Sequence, residues 1–573
     1  MEILAKLWQL ITKRGKVDNG VKTIPIYFVF FFVLNYTMGT GFLGIPFSFY
    51  HAGIITALST NLVVGFLSYV GAIWLIESMA RAQALDTWQK ERQTNSSKTN
   101  SKLLLPKFEI RLERKFEPSE LCNIFLGVYG KYLFVALLIV HVILICWLGA
   151  TVAGSALSSN ISYDFGSLKR CQDSEFHHEM IPDDGCKDSY RFSIFLYALV
   201  VLPLCFLELQ EQKYIQILLG FTRLLAISCL VTYCFIKVVG SDDYPSNYDV
   251  RCNSTNITIE YDVIGDSKCD PNEVLGDYDY WHEISRFGLK GWLTAIPVFV
   301  YAQVMHASIS KLTHPMKQKQ YLKYFLMCVF ATSTTVYSCI GVMVALWFKR
   351  DTEETCTLNF VYIAHNASSN ALRAMAYFLL YFPALDVVSS YPLAVLVMKD
   401  NLYMAITGRD ALTGTTPDED PRLKKRQQAL RLVLSLFVAV LPLVGSLFVA
   451  NLVDITRYAG LVGFAKCFFF PAILQLKSQY DCNKVFFEAV KQEELEATKP
   501  VDVSINDETV PLISNKTEEF PQVLYLQWNN PTYTTPYQTI FSHPIMVVVL
   551  SLFSIVAFGL AIASLPLDVD EDD

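Results

Sequence analysis

One aspartate stands where a carboxylate is costly. Asp386 lies in Pro383-Ala384-Leu385-Asp386-Val387-Val388-Ser389-Ser390, inside a long apolar run, and its spacing puts it on one helical face with Ser389 and Ser390. A carboxylate at membrane depth faces a site or a partner rather than lipid. Oxygens in this pattern suit a hard cation. The carboxylate alone suits a proton, and a nearby arginine would make it half of a structural pair. His51 and His306 titrate near neutrality and suit a proton-linked cycle, or else they are hydrogen-bonded helix-end groups. Arg223 sits near enough to the end of its apolar run to snorkel to the interface, with a gate contact as the other reading. Glu77 falls at the inner mouth, as a gate contact or a solvated charge.

A second feature is made of backbone. The stretch Leu34-Asn35-Tyr36-Thr37-Met38-Gly39-Thr40-Gly41-Phe42-Leu43-Gly44-Ile45-Pro46 gathers glycines and a proline that disfavour a continuous helix. Within a bilayer, open backbone survives only where it lines a cavity or is buried in protein. Two readings follow. Unwound amides and carbonyls would receive a substrate carboxylate and a coupling ion, or the small residues would form a helix-packing face.

These residues need a frame of membrane helices, and the composition supplies one. The chain has 573 residues, 52% hydrophobic and 18% charged, with net charge −7. Its apolar residues fall in about eleven runs, each near the roughly 20 residues that cross a bilayer: Ile24–Tyr50, Ile54–Ile76, Tyr132–Ala156, Phe192–Leu209, Ile215–Val239, Trp292–Ile309, Tyr324–Phe348, Ala374–Met398, Leu432–Ala450, Ile455–Leu476 and Ile545–Leu565. They lack the period-two alternation of an outer-membrane barrel, so the expected class is an all-α integral membrane protein. The first run is too long for a signal-peptide core and is expected to be retained.

Basic residues set the orientation. Lys6, Lys13, Arg14, Lys16 and Lys22 precede the first run and place the N-terminus in the cytosol. Segments 1–23, 77–131 and 477–543 are then cytosolic. Loops 157–191 and 240–291 and the acidic tail 566–573 are lumenal, with the last span at 544–565. Sequons at Asn160, Asn253, Asn256 and Asn366 all fall on the lumenal side, where they are glycosylation candidates. Cys171 and Cys186 share one lumenal loop, and Cys252 and Cys269 another. Pairing within each loop is the simplest disulfide connectivity there, with Cys356 left over. No Cys/His zinc spacing, Walker A sequence, His-Glu-x-x-His or Gly-x-Ser-x-Gly is present. Neither an enzyme nor a metal or organic cofactor is expected, and nothing points to nucleic acid.

The segment from Asn35 to Gly53 resembles the first-helix signature of the amino acid/auxin permease family. Phe116-Glu117-Pro118-Ser119-Glu120-Leu121 with Gly127-Val128-Tyr129-Gly130-Lys131 resembles the family's helix before span three. Ile296–His306 resembles its sixth span, and Tyr458–Gly463 with Phe470-Pro471-Ala472 its tenth. Ile76-Glu77-Ser78-Met79-Ala80 and Cys356-Thr357-Leu358-Asn359-Phe360 resemble an uncharacterised branch of that family rather than its well-known carriers. The resemblance implies a LeuT-like fold, with inverted five-helix repeats over 24–239 and 292–476 and one extra helix. A second interruption is expected in the sixth span, where Pro297 precedes Gln303, His306 and Ser308. The resemblance also implies roles. Thr37, Met38, Gly39, Thr40 and Gly41, with Tyr301 and Gln303, would bind the solute. Carbonyls of Asn35 and Met38, with Asp386, Ser389 and Ser390, would hold a sodium ion, unless Asp386 takes a proton instead.

The segment 477–543 is polar and carries short addresses. Glu508-Thr509-Val510-Pro511-Leu512-Ile513 fits an acidic dileucine signal, Asn530-Pro531-Thr532-Tyr533 an Asn-Pro-x-Tyr pattern, and Tyr537-Gln538-Thr539-Ile540 a Tyr-x-x-Φ pattern. Clathrin adaptors are therefore expected partners beside lipid and a small solute. The expected residence is the endolysosomal membrane, with the plasma membrane as the alternative. The expected function is secondary active transport of amino acids or related solutes, coupled to protons or sodium. The rival is a transporter-like sensor that binds solute and recruits cytosolic partners without flux.

Overall fold

The computed structural model describes residues 25–95, 114–160, 184–206, 209–240, 287–349, 352–367, 369–407, 421–448, 452–497 and 535–563, with 17–18, 21–22, 112 and 565. Apart from a two-residue hairpin, Val17–Asp18 with Val21–Lys22, the regular structure is helical. The helices are α1 Ile26–Met38, α2 Ile45–Ala52, α3 Ile54–Asn95, α4 Pro118–Asn160, α5 Asp184–Leu204, α6 Leu209–Val239, α7 Leu289–Ala302, α8 Ile309–Thr313, α9 Leu322–Phe348, α10 Phe360–Asn366, α11 Asn370–Thr407, α12 Pro421–Ser446, α13 Leu452–Phe464, α14 Phe470–Ala497 and α15 Pro544–Ala563.

Nine described helices are long and apolar enough to cross a bilayer, and ten spans result when the bent pair Val29–Met38 and Gly41–Ala52 counts as one. The fourth expected run is helical as α5, but its first half carries Asp184, Lys187, Asp188 and Arg191. Its purely apolar part is shorter than a bilayer requires. The second span does not end at Ile76: α3 runs for 42 residues, roughly twice the length of a crossing. The segment expected as loop 77–131 is therefore helical at both ends. Within α4, Gly127 adopts φ +75° and breaks the helix between the leading Pro118 turn and the membrane part.

Burial orders the bundle from centre to rim. The window of Leu289–Thr313 is 89% buried inside the protein, that of Pro544–Ala563 only 17%. The sixth span is thus a central element, while α15 turns Ile545, Val549, Leu552 and Val556 outward, as a lipid-facing helix does. Around the centre, α7 packs on α2, α3 and α13, while α11 packs on α4 and α6.

The spans bend where backbone chemistry allows it. In the first, α1 stops at Met38, Gly39 takes φ +41°, a 3₁₀ turn covers Gly41–Leu43, and α2 leaves at 55°. In the sixth, the break does not fall at Pro297, which lies inside the intact α7. It falls at Gln303–Met305, followed by a 3₁₀ turn at His306–Ser308 and then α8. Pro297 serves packing instead: its carbonyl lies where a side chain on Gly460 would stand, 2.0 Å from that position. The tenth span carries a π turn at Ala465–Phe469 between α13 and α14.

Candidate functional site

The two interruptions meet. A Cβ on Gly41 would stand 2.7 Å from the Ala302 Cα, so only glycine lets the two open backbones touch there. Thr40 Oγ1 and Tyr301 Oη hydrogen-bond across the junction at 2.7 Å, and Tyr36 Oη and Ser308 Oγ do so at 2.6 Å. Thr37 Oγ1 donates to Val33 O at 2.8 Å and lies 3.0 Å from Met305 Sδ. Thr37, Met38, Thr40 and Tyr301 are all buried. The glycines therefore act in both of the ways the sequence allows, opening the helix at Gly39 and permitting close approach at Gly41.

One side chain that the sequence reading did not single out joins both breaks. Tyr337, on α9 and 0% exposed, points its hydroxyl at Ala302 O (2.9 Å), Met38 O (3.1 Å) and Thr37 O (3.4 Å). Carbonyls at helix ends lack intrahelical donors, and the single O–H of this phenol lies within reach of both broken helices, nearest Ala302 O. Gln303, expected to face solute, is instead held by α9: its Nε2 donates to Thr334 Oγ1 at 3.1 Å and its Oε1 accepts from Ser333 at 3.0 Å. On the His51 side of the junction, a cleft is lined by Gly44, Phe47, Ser48, His51, Thr294 and Glu354. The His51 ring lies tilted against Phe47 with ring centroids 4.2 Å apart, and its carbonyl sits against Gly288 and Gly291.

Arg223 does not snorkel. It is 1% exposed and reaches across from α6 to both α1 and α11. Its Nε donates to Asp386 Oδ1 at 2.6 Å, its Nη2 lies 2.5 Å from the same oxygen, and its Nη1 donates to the Asn35 carbonyl. The apolar surroundings of α6 and α11 make this pairing necessary, because either charge alone would be buried uncompensated. Ser389 Oγ bonds to Asp386 O at 2.8 Å and Ser390 Oγ to Val387 O at 3.5 Å, both on their own helix. The carbonyls of Asn35 and Met38, expected to face an ion, accept from Arg223 and Tyr337.

Glu77 is neither solvated nor at an open mouth. It is 0% exposed and accepts from Arg81 Nη2 (2.7 Å), Gln475 Nε2 (2.8 Å) and the Ser542 hydroxyl. The segment before α15 is clamped over this cluster by Gln479 Nε2 on Ser542 O (2.8 Å) and Trp74 Nε1 on Phe541 O (3.1 Å). Tyr537 is 1% exposed within that segment. The phenol of the Tyr-x-x-Φ pattern is thus hidden against the bundle, and its burial raises the phenol pKa to about 12.

His306 is buried in the 3₁₀ turn with Nε2 2.9 Å from Ser68 O. Beside it lies Lys466, a residue the sequence reading passed over. It sits in the π turn, 2% exposed, with no ion pair or hydrogen bond among the described residues. A cation in the middle of the apolar run Ile455–Leu476, whose other base, Arg457, lies near its start, was the available sign, by the same rule that singles out Asp386. No group of His, Cys, Asp and Glu that could hold a metal occurs among the described residues. Glu508, Leu512, Ile513, Cys171, Cys252, Cys269, Asn253 and Asn256 lie outside the described residues, as do the side chains of Asn160 and Asn366. Cys186 is disulfide-bonded, its partner outside the described residues, and Cys356 is a buried free thiol.

Residues 22–490 match the family model described as "Transmembrane amino acid transporter protein". Among curated proteins, the chain is similar to "Transmembrane protein 104 homolog" of Dictyostelium discoideum, 23% identical over 83% of this chain and 91% of that one. It is likewise similar to "Transmembrane protein 104" of Homo sapiens, 21% identical over 68% and 76%. The homolog of Caenorhabditis briggsae is 24% identical over 71% and 73%. These relatives carry names that state no activity, in keeping with the uncharacterised branch the sequence resembles. With the family model covering the broken first and sixth spans and most of the membrane region, the chain belongs to the transmembrane amino acid transporter protein family.

Proposed function

We propose that the protein is a secondary transporter that moves an amino acid or a related small solute by alternating access. The meeting of two interrupted helices at Gly41 and Ala302 is the observation that carries this reading. Broken helices in membrane transporters offer half-helix amides to a carboxylate, and the Gly39–Gly41 amides would do so here. Thr40 and Tyr301, already hydrogen-bonded across the breaks, would exchange that contact for the solute. The cleft beside His51 is the route to them from one side. On this reading the first and sixth spans are counterparts in a LeuT-like inverted repeat.

The protein would work in the endolysosomal membrane with its N-terminus in the cytosol, glycosylated and disulfide-linked on the lumenal face. Delivery there would use adaptor recognition of Glu508 and Leu512-Ile513. Paired measurements test the function: binding of an amino-acid panel to purified protein, and uptake into proteoliposomes under proton and sodium gradients. Gradient-driven uptake of a solute that also binds is the expected result. Tight binding without flux would overturn transport in favour of a sensor.

A further inference from the structure

The charges between α1, α6 and α11 say more than that a salt bridge is present. Asn35 O belongs to the last turn of α1, at the negative end of the helix dipole, and its backbone donor, Gly39 N, is a long 3.4 Å away. Asp386 adds a full negative charge from α11. A helix-end carbonyl beside a carboxylate is an oxygen-rich setting that attracts a cation. Here the cation is part of the chain, for the Arg223 guanidinium meets both groups.

The surroundings are shaped for it. Gly220, a turn before Arg223 on α6, leaves room for the Asn35 side chain: a Cβ there would stand 3.1 Å from Asn35 Cγ. Two acceptor oxygens remain beside the guanidinium, Asp386 Oδ2 and Asn35 Oδ1, buried and without a partner among the described residues. A free metal cation approaching them would meet a fixed positive charge.

We infer that Arg223 takes the place of a free coupling cation, and that the protein neither requires nor binds sodium between α1 and α11. The word coupling rests on the transport reading above, but the binding claim does not. Arg223 is a positioning residue, tying the broken first span to α11 through α6.

The test uses full-length protein in detergent and follows thermal unfolding in sodium chloride against choline chloride at equal ionic strength. The wild type should show the same midpoint in both salts. Arg223→Ala should lose roughly 5 °C or more and regain part of that loss with methylguanidinium. It should also gain a response to sodium over choline that the wild type lacks. Arg223→Ala with Asp386→Asn should respond to neither cation. Arg223→Lys, which keeps a tethered charge, should stay indifferent to sodium and serves if the alanine variant does not fold. A sodium-raised midpoint in the wild type would overturn the inference. So would a folded Arg223→Ala protein deaf to both methylguanidinium and sodium. Neither result touches the solute site, whose failure would show instead as absence of amino-acid binding.

Discussion

Two of the cationic side chains buried in this bundle, Arg223 and Lys466, are satisfied in opposite ways. Around Arg223 the positive charge has a carboxylate and a helix-end carbonyl on it, drawn from separate helices. Around Lys466 no carboxylate pairs with it among the described residues: the neighbouring titratable groups are His141 on α4, His306 after α7 and Cys467 on the same turn. Each imidazole has one nitrogen on a backbone carbonyl, His141 Nδ1 on Ala459 at 3.0 Å and His306 Nε2 on Ser68 at 2.9 Å. The other nitrogen of each, His141 Nε2 and His306 Nδ1, is buried without a partner among the described residues. One centre therefore fastens helices together, whereas the other holds polar groups at a cost that packing must offset. Removing a group should have opposite signs at the two places.

The largest effect belongs to the paired centre. Asp386→Ala or Arg223→Met alone should lower stability by about 3–5 kcal/mol, since each strands the partner charge. Arg223→Met combined with Asp386→Leu should recover most of it, and denaturant unfolding of the singles and the double gives the coupling directly. Next comes the hydroxyl that bridges the breaks. Tyr337→Phe keeps the ring but removes the one hydroxyl donor that the helix-end carbonyls of the two broken spans share, at about 1–3 kcal/mol. The smallest effect has the reverse sign. Lys466→Met fills similar space without an amine and should gain about 1 kcal/mol. A loss at Lys466 comparable to that at Arg223 would erase the contrast and show that the lysine has a counter-charge after all.

How much of this could be read beforehand depends on the range of the interaction. Gly39, Gly41 and Gly44 announce a broken helix locally, because backbone conformation is a property of those residues. Asp386 announces itself as a charge in an apolar run. That Arg223 is its partner is not announced, since the two lie 163 residues apart and no periodicity relates α6 to α11. For the sixth span an interruption was legible but its residue was not: the helix around Pro297 holds, and the chain opens at Gln303 where α9 offers Ser333 and Thr334. The π turn at Lys466 has no sequence pattern of its own. Glu77 read as a mouth residue because the fold back of residues 535–543 onto α3 and α14 is a tertiary event.

Equilibrium binding of an amino-acid panel to the purified full-length protein, wild type beside Gly41→Ala and Tyr301→Phe, bears most directly on the junction of the first and sixth spans as the solute site. The wild type should bind at least one amino acid. The Gly41→Ala variant, whose new methyl collides with Ala302, should bind it at least ~10-fold more weakly, a difference of about 1.4 kcal/mol. Tyr301→Phe should weaken it less. Undiminished affinity in both variants, or no amino acid bound by the wild type, would contradict the account.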